Sequence, residues 1–240
     1  MKKHAIIPIF IPHLGCENDC VFCNQKIITA KSDPVSPNDA EQTILEYLST
    51  LRVYDDIKKC DNPPTVEIAF YGGSFTGLDI ETQNKYLDLA LKYKRLGKID
   101  KIHMSTRPDY INSAILDNLK AHQVDIIELG VQSFDEAVLK ASKRGHKISD
   151  IYYACNLIKT YGFSLGIQLM IGLPNDSKEK SIESARLAAQ IQPNIARLYP
   201  TLVLPDTELF EMMKLGKYSP LSQKDAIEIC KEMYKILTEK

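Results

Sequence analysis

Six short β-rich runs alternate with amphipathic helical stretches along this chain, and no linker or low-complexity segment divides them. The runs are Ala5–Ile11, Val66–Tyr71, Lys101–Ser105, Asp125–Val131, Ser164–Ile171 and Ile195–Val203. Strand followed by helix, repeated, requires crossover connections and therefore a parallel sheet. The stretch FSLGIQLMIGLP is nearly all apolar, as a strand covered on both faces should be. Six βα units in 240 residues suit one α/β domain, either an open doubly wound sheet or a partial barrel, since a closed (β/α) barrel takes eight. Polar or glycine-rich segments recur just past the C-terminal strand ends, at the cysteine-rich loop, GGSFTG, STRPD, QSFDE and GLPND. Functional groups gather at that rim in barrel enzymes, which favours the partial barrel.

Helix starts are signalled by side chains able to accept from free backbone N–H groups. Asn38 with Glu41, Asn112, Ser149, Asp176 with Glu179, and Ser222 with Asp225 are the expected N-terminal caps, and Gly162 the expected stop of one helix. Hydrophobic content of 44% supports a sizeable core, and a net charge of −1 advertises no polyanionic partner. Pro8 and Pro12 interrupt the apolar N-terminal run, which is also too short to span a bilayer. It reads as a strand, with a cytoplasmic location and no membrane partner expected. Cys155 and Cys230 fall on amphipathic helical patterns and read as ordinary buried thiols, and Cys60 as a loop thiol.

Chemistry concentrates in two motifs. Cys16, Cys20 and Cys23 form a Cys-x3-Cys-x2-Cys loop directly after the first strand. Three readings stand for it: zinc, with His13 completing a Cys3His set; a redox or incidental thiol group; or an iron–sulfur cluster one protein ligand short of the usual four, which leaves one iron open. The second motif, YGGSFTG at 71–77, follows the second strand. Its paired glycines Gly72 and Gly73, with Ser74 beside them, let backbone groups approach a ligand closely. It matches neither common phosphate-binding pattern.

Together the two motifs resemble the radical S-adenosylmethionine (SAM) superfamily, whose members carry Cys-x3-Cys-x-aromatic-Cys after the first strand of a (β/α)6 partial barrel and a Gly-Gly motif after the second. Phe22 fills the aromatic slot. The resemblance implies a [4Fe–4S] cluster on Cys16, Cys20 and Cys23, SAM on the open iron, and reductive cleavage of SAM to methionine and a 5′-deoxyadenosyl radical. It implies that Gly72 and Gly73 receive the methionine amino group, that Phe22 lies beside the adenine, and that a flavodoxin or ferredoxin donates the electron.

A narrower resemblance rests on ELGVQSFDEAVLKASKRGH, residues 128–146, and on the segment from Arg197. Both look like the radical SAM half of the Elongator catalytic subunit, and the first also like oxygen-independent coproporphyrinogen oxidase. By that match Arg144 pairs with the SAM carboxylate and Gln132 lines the SAM pocket. Gln168 meets the ribose hydroxyls from a position that often holds an acid, and Ser105 also stands where the Elongator-like segment has one. Tyr199 and Leu202 either wall the adenine or pack in the core, the core being the expectation. Arg107 faces substrate or anchors its turn, and the lysine-rich run 92–98 reads as a solvated helix end.

Two features depart from Elongator: its first two cluster cysteines stand further apart, and this chain has no room for its acetyltransferase domain. Residues 1–240 are expected to form one radical SAM core, with a substrate-covering segment expected beyond Lys240, whose helix carries no stop signal. The reaction expected is radical chemistry on a tRNA base, with a small molecule or tetrapyrrole as the alternative and a non-catalytic zinc or iron–sulfur module behind both.

Overall fold

The computed structural model describes residues 4–11, 16, 20–24, 35–50 and 65–239. His13 and Cys60 lie outside them. Six parallel strands pair strictly in chain order: β1 (His4–Phe10), β2 (Thr65–Tyr71), β3 (Lys101–Thr106), β4 (Ile126–Gln132), β5 (Ser164–Ile171) and β6 (Ile195–Pro200). A doubly wound sheet would reverse its order at a switch point; this one never does. Side chains from both edge strands, β1 and β6, line the same cavity as those from the strands between them, so the sheet curls. The architecture is a (β/α)6 partial barrel, as expected.

Helices cover the outer face: α1 (Pro37–Thr50), α2 (Ile80–Arg95), α3 (Ser113–Ala121), α4 (Glu136–Ala141), α5 (Ile148–Thr160), α6 (Lys178–Ile191), α7 (Glu208–Lys214) and α8 (Gln223–Thr238). Strand residues that point outward are large aliphatics, among them Ile7, Ile68, Ile102, Ile127, Leu129 and Ile167, all fully buried beneath the helices. Each contributes about 1.5–3 kcal/mol of hydrophobic stabilisation, so the core lies between sheet and helices and leaves the inner face available for other work. No helix among the described residues is long and apolar enough to cross a membrane.

Three expected caps are displaced. Helix α1 is capped by Ser36, whose Oγ accepts from Asp39 N at 3.2 Å while its own N donates to Asp39 Oδ2 at 3.1 Å. Glu41 instead binds Lys92 and Tyr93 of α2. Helix α5 starts before Ser149, because Asp150 reaches back to Lys147 N at 2.8 Å and closes the turn there. Ser177 rather than Asp176 caps α6; Asp176 is drawn into the preceding turn by Gly172 N and Ser181 Oγ. Asn112 and Ser222 cap as expected, accepting from Ile115 N and Asp225 N. Gly162 follows α5 with φ +79°, the left-handed stop that glycine supplies. Strand β6 ends at Pro200, short of Val203, although Thr201 N still donates to Ile171 O.

Candidate functional site

The inner face of the curl is polar. Strands alternate sides residue by residue, and on each of β2 to β6 the inward set includes a hydrogen-bonding side chain: Glu67 and Tyr71, His103 and Ser105, Glu128 and Gln132, Gln168, Arg197 and Tyr199. Towards the C-terminal ends of the strands this surface opens into a cavity of about 660 Å³, well within the range of small-molecule sites.

Every residue singled out from the sequence as a cluster or SAM ligand lines that one cavity. Cys16, Cys20, Phe22 and Cys23 come from the loop after β1, and Gly72, Gly73 and Ser74 from the loop after β2. Gln132 ends β4, Arg144 follows α4, and Gln168 belongs to β5. The cysteine loop is held from two directions. Val21 N donates to Ser142 O at 3.2 Å, and Val21 O accepts from Leu209 N at 2.8 Å. Val21, Leu209 and Tyr218 then form a small separate apolar cluster, against which Phe22 packs. The end of α4 and the start of α7 thereby clamp the loop that carries the thiols.

Arg144 is 6% exposed and spans that loop and the barrel. Its Nη1 donates to Cys20 Sγ at 3.1 Å and its Nη2 to Gly130 O at 2.6 Å, so a fixed positive charge sits against the sulfur. A Cβ at Gly130 would stand 3.3 Å from Nη2, which is why that strand position is bare. Cys16 Sγ lies 3.3 Å from Ser74 Oγ. Gly72 holds φ +101°, a conformation glycine adopts without strain, and its bare Cα lies against the backbone of Ile11.

Gln132 carries backbone strain of a kind found at functional sites. Its φ is +69°, and Ser133 N donates to Val131 O at 2.9 Å, closing a γ-turn where β4 slips register against β5. Among the described residues that line the cavity, three buried polar atoms have no hydrogen-bond partner: Gln132 Oε1, Arg144 Nε and Ser105 Oγ. Such groups are normally satisfied, and here they await a polar ligand.

Three soft sulfur donors on one wall suit an iron–sulfur cluster. Among the described residues no three Cys, His, Asp or Glu side chains converge closely enough to share one metal ion. Thiolates that each bind a different iron stand further apart than ligands of a single ion.

Arg107 anchors its turn, one of the two parts left open for it. It forms a two-point contact with Asp109, at 3.0 and 2.7 Å, and also lines the cavity. Tyr199 and Leu202 depart from the core role: they are 40% and 72% exposed and line the cavity. Lys94 departs from the solvated helix end, because it pairs with Asp125 at 2.6 Å. Cys155 is buried as expected, its thiol pushed up to about 12 by burial, while Cys230 is half-buried.

The sequence reading missed an ionic array on the barrel floor. His103 lies between Glu67, 3.2 Å from its Nδ1, and Glu128, 3.5 Å from its Nε2. Arg197 Nε approaches Glu128 Oε2 at 3.0 Å and its Nη2 donates to Tyr71 OH at 2.9 Å. Burial drives the His103 pKa down, but its bonds to Glu128 and Glu67 outweigh that and raise it. Burial likewise pushes Glu67 up, and His103 prevails in holding it below the usual carboxylate range. The signal was present as one polar residue at an inward position of each strand, in runs otherwise apolar enough to be read as core.

The family description "Radical SAM superfamily" matches residues 10–188, and its "Radical_SAM C-terminal domain" matches residues 193–240. The chain is 28% identical over 256 residues to the tRNA uridine(34) acetyltransferase of Methanocaldococcus infernus, covering 94% of this chain and 48% of that protein. It is 31% identical over 250 residues to Elongator complex protein 3 of Bos taurus, covering 91% and 46%. The chain thus spans about half the length of these curated relatives. Among solved structures, archaeal Elp3 from M. infernus, with its N-terminus deleted, superposes with a TM-score of 0.73 at 23% identity, over 97% of this chain and 54% of that one. With that family matching residues 10–188, most of its length, this chain belongs to the radical SAM superfamily.

Proposed function

We propose that residues 1–240 form one radical SAM core, which holds a [4Fe–4S] cluster on Cys16, Cys20 and Cys23 and binds SAM across the strand ends. When bound, the cluster supplies the electron that splits the SAM sulfonium bond into methionine and a 5′-deoxyadenosyl radical. The protein's own task is ligation, orientation and exclusion of water. The observation that carries this reading is convergence: ten residues singled out from the sequence, scattered from Cys16 to Gln168, line a single cavity.

Each has a role its geometry supports. The backbone at Gly72 and Gly73 is accessible to the methionine amino group, with Ser74 holding Cys16 in place. Arg144 has Nε unpartnered for a carboxylate, while its two other nitrogens tie Cys20 to the barrel. Gln132 offers a free buried carbonyl, Gln168 reaches the ribose, and Phe22 flanks the adenine. The electron comes from a small donor such as a flavodoxin or ferredoxin. The radical is directed to a base of tRNA, a substrate class supported by the names of the relatives.

Anaerobic reconstitution with iron and sulfide, then dithionite and SAM, tests this directly. A brown protein that forms 5′-deoxyadenosine, with turnover raised by tRNA, is the expected result. Cys20→Ala should abolish both colour and cleavage while leaving the barrel folded, because its core lies on the other side of the sheet. Stoichiometric zinc in a colourless protein would overturn the reading. Stimulation by a tetrapyrrole or another small molecule, with none by tRNA, would replace the substrate but keep the chemistry.

A further inference from the structure

Gln168 belongs to the proposed SAM pocket, and an amide in a pocket is ambiguous: it can present a donor or an acceptor. Here the neighbour removes the ambiguity. Gln168 Nε2 lies 2.6 Å from Glu128 Oε1. A carboxylate only accepts, so the group facing it must be the amide NH2. No described residue donates to Gln168 Oε1, which is left to the cavity.

Glu128 is built into place for this contact. It is fully buried, and its Oε2 lies 3.0 Å from Arg197 Nε and 3.5 Å from His103 Nε2. Gly166 stands beside it on β5, where a Cβ would come within 2.9 Å of Glu128 Cγ. With Arg197 and His103 beside one oxygen, the other is turned toward Gln168. The same contact accounts for an amide at 168, a position that often holds an acid in the resembling family, because two carboxylates at 2.6 Å would repel.

We propose that Glu128 is a positioning residue: it captures the Gln168 NH2 and fixes Oε1 as a hydrogen-bond acceptor for the vicinal hydroxyls of a ribose. This rests on the SAM reading and adds to it the polarity of the contact and the residue that sets it. Position 128 then dictates what position 168 must carry. In Glu128→Gln, the new amide turns its oxygen to Arg197 and its NH2 to Gln168, which forces Gln168 to present NH2 to the cavity. In Gln168→Glu, two acids face each other. In the double variant Glu128→Gln with Gln168→Glu, the amide at 128 donates to the acid at 168, and an acceptor again faces the ribose.

Calorimetric binding to the reconstituted protein tests this, with S-adenosylhomocysteine and its 2′,3′-di-O-methyl counterpart, whose ribose oxygens accept but cannot donate, as probes. Wild type should prefer the parent ligand about 10-fold, the worth of one or two hydrogen bonds. Glu128→Gln should narrow that preference, because an NH2 facing the cavity donates to either ligand; Gln168→Glu should weaken both ligands; and the double variant should regain the preference. Thermal unfolding and cluster colour, recorded for all four proteins, separate a lost contact from a lost fold; a folded, loaded double variant without preference overturns the inference. Equal binding of both ligands by wild type overturns it while leaving the SAM reading intact. Binding of neither ligand overturns both.

Discussion

Replacing Gly166 with alanine sets the polar floor of the barrel against its packing. The added methyl would stand 2.9 Å from Glu128 Cγ, 3.0 Å from its Cβ and 3.2 Å from its Cα. The side-chain atoms are buried and the Cα belongs to a central strand, so none of them moves freely. Overpacking of this kind costs about 1–3 kcal/mol. Gly166 does not have the positive φ that would add strain, so restriction of the unfolded chain returns about 0.4–1 kcal/mol. Mid-range values leave a net loss of about 1.3 kcal/mol, a fall in Tm of about 3–5 °C for a domain of this size. Pushing Glu128 aside also loosens its hold on Gln168, so affinity for SAM should fall with stability. Gly97→Ala is the control. An added Cβ there would meet nothing within 4 Å, but its φ is +63°, so it should lose about 1–2 kcal/mol through backbone strain alone and bind SAM normally. Differential scanning calorimetry with SAM titration on both variants decides. A Gly166→Ala protein as stable as wild type would refute the account of the barrel floor.

Arg144→Lys replaces a two-pronged contact by a single point charge, which cannot reach both Cys20 Sγ and Gly130 O. Loss of one charge-assisted bond, about 1.5–3 kcal/mol, should speed chelator-driven bleaching of the reconstituted protein at least about 10-fold; an unchanged rate would refute the role. His146 is 3% exposed, and neither ring nitrogen meets a well-aligned partner. Burial, reinforced by Arg144 and Arg107 and opposed by Asp109, pushes its pKa down to about 3. The unfolded chain therefore takes up this proton first, and stability present above pH about 6.5 is lost as pH falls toward 3, by about 1.4 kcal/mol per unit. Urea titrations of His146→Leu should show a shallower acid slope across that window; a slope equal to wild type would exclude the histidine as its source.

The parallel sheet, the partial barrel and the cofactor-facing loops were legible in the chain because each rests on local pattern: strand–helix alternation, a three-cysteine spacing, paired glycines after a strand. Cap positions slipped by one or two residues, as between Asp176 and Ser177, where two acceptors compete within one turn, since the choice depends on what the rest of the loop offers. The role of Glu67, His103, Glu128 and Arg197 was hidden for a different reason. A charged residue in a strand has no meaning until the partner strands are in register, and these four come from β2, β3, β4 and β6.

The sequence by itself determined where a thiolate centre can form and, through its resemblance to the radical SAM superfamily, which cofactors to expect there, because ligand type and spacing are properties of a short loop. Only the tertiary structure decided how that centre is held and which way its polar groups face. Arg144 meets Cys20 across 124 positions of chain and Gln168 meets Glu128 across 40. Contacts at that separation exist only once the strands have paired and the loops have folded back over their ends, so no local pattern in the chain could have announced them.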